Sequence, residues 1–191
     1  SEKAEELIKQ PKMHTSYRGK TDNSAVQADH LTIGHDDKIL LNNANFNFNK
    51  TGLTAITGES GAGKTTLLRT LLGLHEPKAG TLSVLTTDIG YVSDQVYFSD
   101  TTIYEYVSGS SHSKEKVSEI LNKLNLTASI DNLEQGIHTP IVNHDIPLSG
   151  GEIVRLKMAR VLIAKPEIII MDEPTEFLDA QTEQLVMKYL I

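Results

Sequence analysis

Apolar residues recur along this chain in two rhythms. From Ala28 to Phe48 they alternate with polar ones. Leu31 and Ile33 come first; Ile39-Leu40-Leu41, then Ala44, Phe46 and Phe48, follow the polar run His35-Asp36-Asp37-Lys38. A period of two is that of a strand with one buried face, so the segment predicts an antiparallel sheet with a turn at 35–38. The asparagines of residues 42–49 fall on the polar phase. They read as a solvated strand face, not a chemical site. Leu53-Thr54-Ala55-Ile56-Thr57 is a short apolar run and predicts a buried strand. The rhythm then lengthens. Leu67, Leu68, Leu71, Leu72 and Leu74 have roughly helical spacing and predict a helix over 64–75, stopped by Glu76-Pro77-Lys78-Ala79-Gly80. Short strands are predicted at 81–85 and 89–92.

The chain from Thr101 to Gln135 reads as helical. Val117, Ile120, Leu121 and Leu124 repeat at i, i+3, i+4, i+7, and Ser113 suits the N-cap. Another helix opens at Leu148-Ser149-Gly150-Gly151-Glu152, runs through Ala164 and is ended by Pro166. Ile168-Ile169-Ile170-Met171 predicts a buried strand, and a last helix is predicted from about Ala180 onward. Residues 1–27 are polar, contain Pro11 and Gly19, and read as a linker or tether.

Between the first apolar run and the first helix lies Gly58-Glu59-Ser60-Gly61-Ala62-Gly63-Lys64-Thr65, which reads G-x-x-x-x-G-K-T. A strand before and a helix after are the context in which this motif is a phosphate-binding loop. Its glycines let backbone N–H groups turn inward around phosphate oxygens, and the helix N-terminus adds partial positive charge. Lys64 has the reach for the β- and γ-phosphates, and the Thr65 hydroxyl suits Mg²⁺. With Thr66, these residues are the candidate contacts of a nucleotide bound with Mg²⁺.

Two further constellations extend the chemistry. A strand buried on both faces is a continuous apolar run, and ligands of open α/β sheets gather at its C-terminal end. Asp172 there suits Mg²⁺, and Glu173 suits a general base that polarises the attacking water. Ser149, Gly150 and Gly151 at a helix N-terminus form a second anion site. Two such sites imply either two nucleotides or one nucleotide shared between two subunits.

Composition narrows the setting. The 191 residues suffice for one domain with a sizeable core. No cysteine is present, which rules out disulfides and thiolate-bound metal. The net charge of −7 shows no basic footprint for nucleic acid at the level of the whole chain. No run of 18 apolar residues is long enough to span a bilayer.

Leu148-Ser149-Gly150-Gly151-Glu152, with Arg155 and then Met158-Ala159-Arg160-Val161-Leu162, closely resembles the signature motif and helix of ABC ATPases. The resemblance covers residues 28–190. It implies an α/β P-loop core with an N-terminal antiparallel β-subdomain and an inserted helical subdomain over about 96–150. It also implies that two such domains pack head to tail, the signature of one closing on the ATP held by the other. Asp179 matches the D-loop, whereas Glu176 and Phe177 depart from its small residues. The Q-loop residue, a contact of Mg²⁺ and of the membrane partner, falls on Gln95 or on Asp94. Glu152 stands where Gln is usual and brings a negative charge near a triphosphate.

Other positions depart further. The place of the aromatic residue that stacks on adenine, near residues 33–35, holds no Tyr or Phe; Ile33 or His35 takes it, or His35 is a surface-turn histidine. The family's switch histidine follows the D-loop by more residues than remain here. His138 and His144 precede the D-loop and read as loop histidines, so the resemblance implies a piece of a longer protein. Residues 139–143 resemble the exporter X-loop, with Asn143 in place of its acid.

The function implied is ATP binding and hydrolysis, by Lys64, Thr65, Gln95, Asp172 and Glu173, that drives a transporter, most simply an exporter. Its membrane domain would precede it in the same polypeptide, a second nucleotide-binding domain would complete it, and it would sit on the cytoplasmic face of a membrane, such as the bacterial inner membrane. Rival readings are a soluble ABC ATPase acting on nucleic acid or ribosomes, and a nucleotide-binding regulator that does not turn over.

Overall fold

A computed structural model describes residues 24–93, 100–109, 113–142, 146–172 and 184. The chain divides into two units, Ser1–Thr87 and Asp88–Ile191, each with its own strands and helices.

In the first unit, β1 (Ser24–His35) and β2 (Lys38–Asn49) form the expected antiparallel hairpin. β3 (Ala79–Val84) pairs with the other edge of β1, giving the order β2-β1-β3. The central strand buries Val26 and Ala28, then Leu31 and Ile33. That step of three breaks the two-residue period, and a bulge accounts for it. His30 takes a left-handed conformation (φ 49°) where the pairing register shifts between Ala28 and Leu31. One extra residue there returns Leu31 to the inward face. The bulge frees the backbone N–H of His30, which donates to Asn45 Oδ1 at 2.8 Å, and the His30 ring meets Asn43 Oδ1 at 2.7 Å. The asparagines of β2 do lie on its exposed phase, but two of them satisfy this bulge. β3 comes so close to it that a Cβ on Gly80 would stand 2.2 Å from the His30 carbonyl oxygen.

Helix α1 (Lys64–Leu71) is shorter than the leucine spacing predicts. Gly73, at φ 71°, ends it. The N–H of Leu74 donates to the carbonyl of Arg69 at 2.8 Å, and that of Gly73 to Thr70 at 3.0 Å, a Schellman closure that leaves Leu74 exposed. The strand expected at 53–57 does not form. Both ladders of β1 are taken by β2 and β3, and among the described residues no strand pairs with this run. Its residues lie extended or irregular at the surface, with Leu53 55% exposed.

In the second unit, β4 (Ile89–Val92) and β7 (Ile168–Met171) pair in parallel, Ile89 opposite Ile168 and Val92 opposite Met171. A short ladder joins β5 (Thr101–Thr102) to β6 (Pro140–Ile141). The stretch that reads as helical from 101 to 135 resolves into α2 (Ile103–Ser108), α3 (Lys114–Lys123) and α4 (Thr127–Asp131). Asn125, at φ 54°, closes α3 with a second Schellman pair, Leu126 N–H to the Leu121 carbonyl and Asn125 N–H to that of Asn122. Ser113 is the N-cap of α3 as expected, though its hydroxyl accepts no backbone bond.

Helix α5 (Gly150–Ala164) lies in the core of this unit. Its Leu156, Met158 and Ala159 are buried in one cluster with Ile103, Val107 and Leu121. Arg160 pins it to α2: Nη1 donates to the Tyr106 carbonyl at 2.7 Å, and the guanidinium lies 4.8 Å from the Tyr106 ring centre. Burial pushes the Tyr106 hydroxyl up to about 12. Lys165, left-handed at φ 52°, ends the helix ahead of Pro166.

Candidate functional site

The loop Gly58–Thr66 belongs to the first unit. Its turn is closed by the Ala62 N–H donating to the Glu59 carbonyl at 3.1 Å. Gly63 is the N-cap of α1 at φ 97°, and a Cβ there would also stand 2.9 Å from Leu40 Cβ. Glycine is therefore required twice over, by conformation and by space. The Lys64 ammonium folds back onto the loop and donates to the carbonyls of Gly58 at 2.9 Å and Glu59 at 3.0 Å. Gly58, Glu59, Ser60, Gly61 and Ala62 are exposed, Thr65 is half-buried and Thr66 is buried.

The N-terminus of α1 has no side-chain cap and no acidic residue in its first turn. Its leading N–H groups have no partner within the helix, and the dipole there favours an anion. A cap residue would compete with a phosphate; none is present, so these residues fit a nucleotide phosphate with Lys64 as its counter-charge. Thr65 offers a hydroxyl oxygen of the type Mg²⁺ takes.

Thr66, expected to touch the nucleotide, has its hydroxyl 2.9 Å from His35 Nε2. The His35 ring lies 4.7 Å from that of His75, tilted by 54°. His75 Nε2 is 2.9 Å from the Gly34 carbonyl, so this nitrogen carries the proton. His35 is exposed at the end of β1, yet it is tied to α1 and to the turn beyond it. Spacing gave no sign of this, because the partners are 31 and 40 residues away.

The second unit holds the other candidates. Ser149 is the N-cap of α5, within a capping box. Its backbone N–H and its hydroxyl both donate to Glu152 Oε2 at 2.8 Å, and the Glu152 N–H donates back to the serine oxygen. The other carboxylate oxygen accepts from the Ser129 hydroxyl, on α4. The Ser129 bond, then those from Ser149 and the charge of Arg155, hold the Glu152 carboxyl below its ordinary range despite partial burial. Ser129 lies in no motif, and nothing in the sequence marked it. The charge at position 152 is thus engaged by its own helix end, on the segment that the signature motif predicts.

Asp172 follows β7 and is buried, with its N–H donating to the Val92 carbonyl at 2.9 Å. The buried Lys157 of α5 donates to the Ser93 carbonyl at 2.7 Å and so fixes the backbone where β4 ends. His138 lies in the 3-10 turn Gly136–His138, its ring 5.9 Å from that of Tyr104. Gln95, Asp94, Asn143, His144, Glu173, Glu176, Phe177 and Asp179 lie outside the described residues.

A model of the ABC transporter family matches residues 41–176, a span that contains the loop Gly58–Thr66, the Ser149 helix and Asp172. The chain belongs to the ABC transporter family. It is 32% identical over 178 residues to the mitochondrial iron-sulfur clusters transporter ATM1 of Candida albicans, a match that spans 85% of this chain and 24% of that protein. It is 32% identical over 161 residues to a putative export ATP-binding/permease protein of Rickettsia bellii, spanning 78% of this chain and 28% of that one. Among solved structures, an ATP-bound bacterial Atm1-family ABC exporter superimposes with a TM-score of 0.80 at 26% identity, over 93% of this chain and 34% of the exporter. The chain therefore spans about a quarter of the length of the curated relatives it matches. These likenesses bear out the ABC ATPase fold and its exporter type. Among the described residues no helix is long and apolar enough to cross a membrane.

Proposed function

We propose that this ABC ATPase domain binds ATP with Mg²⁺ at Gly58–Thr66 and hydrolyses it to drive export across a membrane. The observation that carries the reading is the end of α1: an uncapped helix N-terminus, with Lys64 held on the loop beside it. Lys64 exchanges the carbonyls of Gly58 and Glu59 for phosphate oxygens, and its charge stabilises the transferring phosphoryl group. The Thr65 hydroxyl in the first unit and the Asp172 carboxylate in the second are each of the oxygen type that would take Mg²⁺, as Gln95 or Asp94 would, and the ion would supply charge that neutralises the phosphates. Glu173 orients and polarises the attacking water.

Ser149, Gly150, Gly151 and Asp179 act on the nucleotide of a second such domain, packed head to tail. The exporter likenesses support a transmembrane domain as the other partner and the cytoplasmic side of its membrane as the location. Steady-state ATP hydrolysis with Mg²⁺ over a range of protein concentrations, beside Glu173→Gln, tests the reading. Turnover that rises faster than linearly with protein and vanishes in the variant is expected. Absence of ATP binding would sink it.

A further inference from the structure

The two helix ends offered to nucleotide differ in one respect. The N-terminus of α1 carries no cap and no acid, whereas that of α5 already holds an anion of its own, the Glu152 carboxylate. One carboxylate oxygen takes both the N–H and the hydroxyl of Ser149, and the other is anchored by Ser129 on a different helix. A serine hydroxyl has a single proton to donate. While Ser149 gives it to Glu152, it has none for a phosphate oxygen. The carboxylate also neutralises the positive end of the helix dipole that would attract one.

We propose that Glu152 is a built-in counter-anion for the Ser149–Gly151 helix end, and that Ser129 is the positioning residue that keeps it there. A nucleotide phosphate reaching this helix end competes with Glu152 for the Ser149 proton. The strength of the Ser129 bond then sets how much nucleotide is needed to close two domains on each other. This rests on the shared-nucleotide reading above, and deepens it by naming what opposes closure.

Glu152→Gln separates charge from shape, because glutamine also closes a capping box. The intact protein would be titrated with the Mg²⁺ salt of the non-hydrolysable analogue AMP-PNP. Pairing of domains would be followed by sedimentation velocity, and binding by calorimetry. In Glu152→Gln the half-point for pairing falls about fivefold or more, the scale of one charge at a helix end. Ser129→Ala shifts it in the same direction by less, and Ser129→Thr, which keeps the hydroxyl, stays at the wild-type value. In the Glu152→Gln background, Ser129→Ala moves the half-point less than twofold, because Ser129 acts through the carboxylate. A half-point that is unchanged or raised in Glu152→Gln, or unchanged in Ser129→Ala, while calorimetry still shows AMP-PNP binding that Lys64→Ala weakens, overturns the proposal alone. AMP-PNP that fails to bind the wild-type protein overturns the functional reading, and the proposal with it.

Discussion

His35 Nε2 lies 2.9 Å from the Thr66 hydroxyl oxygen, across 31 residues of sequence. The contact fastens the end of β1 to the third residue of α1, directly behind Lys64 and Thr65. His75, held on the Gly34 carbonyl, backs the same imidazole from the turn after the helix. The start of α1 is thus braced by side chains of the β-sheet hairpin and of its own exit turn.

Thr66→Val tests this brace. Valine keeps the β-branched shape and removes only the hydroxyl. The bond is partly buried, so its loss is expected to lower unfolding free energy by about 1 kcal/mol. Urea denaturation would show it as a lower midpoint at unchanged slope. The ring nitrogens of His35, followed by NMR, should shift in the same variant. A midpoint and spectrum identical to wild type would mean that the bond does not form in solution.

Lys64→Ala addresses the chemistry rather than the scaffold. The partners of Lys64 are carbonyls of exposed loop residues, which water can satisfy when the side chain is removed. Stability is therefore expected to change little. A hydrogen bond to a charged group contributes about 1.5–3 kcal/mol, so ATP affinity should fall by about tenfold to a hundredfold. Urea denaturation reads the stability, and calorimetric titration with ATP and Mg²⁺ reads the affinity. Equal affinity in the two proteins would remove Lys64 from the site.

Much of this arrangement is legible in the sequence, and the reasons differ by element. The capped start of α5 and its stop at Pro166 rest on local chemistry, and so both are seen where expected. The apolar run 168–171 forms β7 within the same bounds. Five leucines at helical spacing point past Gly73, whereas that left-handed residue ends α1. The strand at 53–57 failed for a different reason: an apolar run forms a strand only where another strand can pair with it. The His35–Thr66 and Ser129–Glu152 bonds join positions far apart in the chain, and no spacing rule reaches them.

Acid should loosen the second unit through two carboxyls. Glu105 is held below its ordinary range, first by the backbone N–H of Thr102 and then by the hydroxyls of Thr101 and Thr102. Glu152 is lowered in the same sense, first by Ser129. Both are depressed in the folded state, so the unfolded chain binds more protons near pH 4 and stability rises with pH there. Their contribution is complete above the unfolded value of about 4.3 and is lost as pH falls through the folded values. Solvent screening keeps it small. Urea midpoints measured from about pH 6 to about pH 3 should fall less steeply in Glu105→Gln and in Glu152→Gln than in wild type, over the window set by these carboxyl groups. Parallel curves would show that neither capping box is formed.

Helix α5 packs closely against β4 at Gly90. A Cβ at this position would lie 2.4 Å from Val161 Cγ1 and 2.9 Å from Pro166 Cγ. The backbone of Gly90 is not left-handed, so space alone excludes a side chain. The valine can change rotamer at some cost, but the proline ring cannot turn aside. Gly90→Ala should therefore destabilise by about 1–3 kcal/mol, the usual range for overpacking. Val161→Ala removes the nearer obstacle. The pair is expected to be less damaged than the sum of the single changes, though short of wild type because Pro166 remains. Urea unfolding of the four proteins measures that coupling. Strict additivity would mean that α5 stands further from β4 than these distances place it.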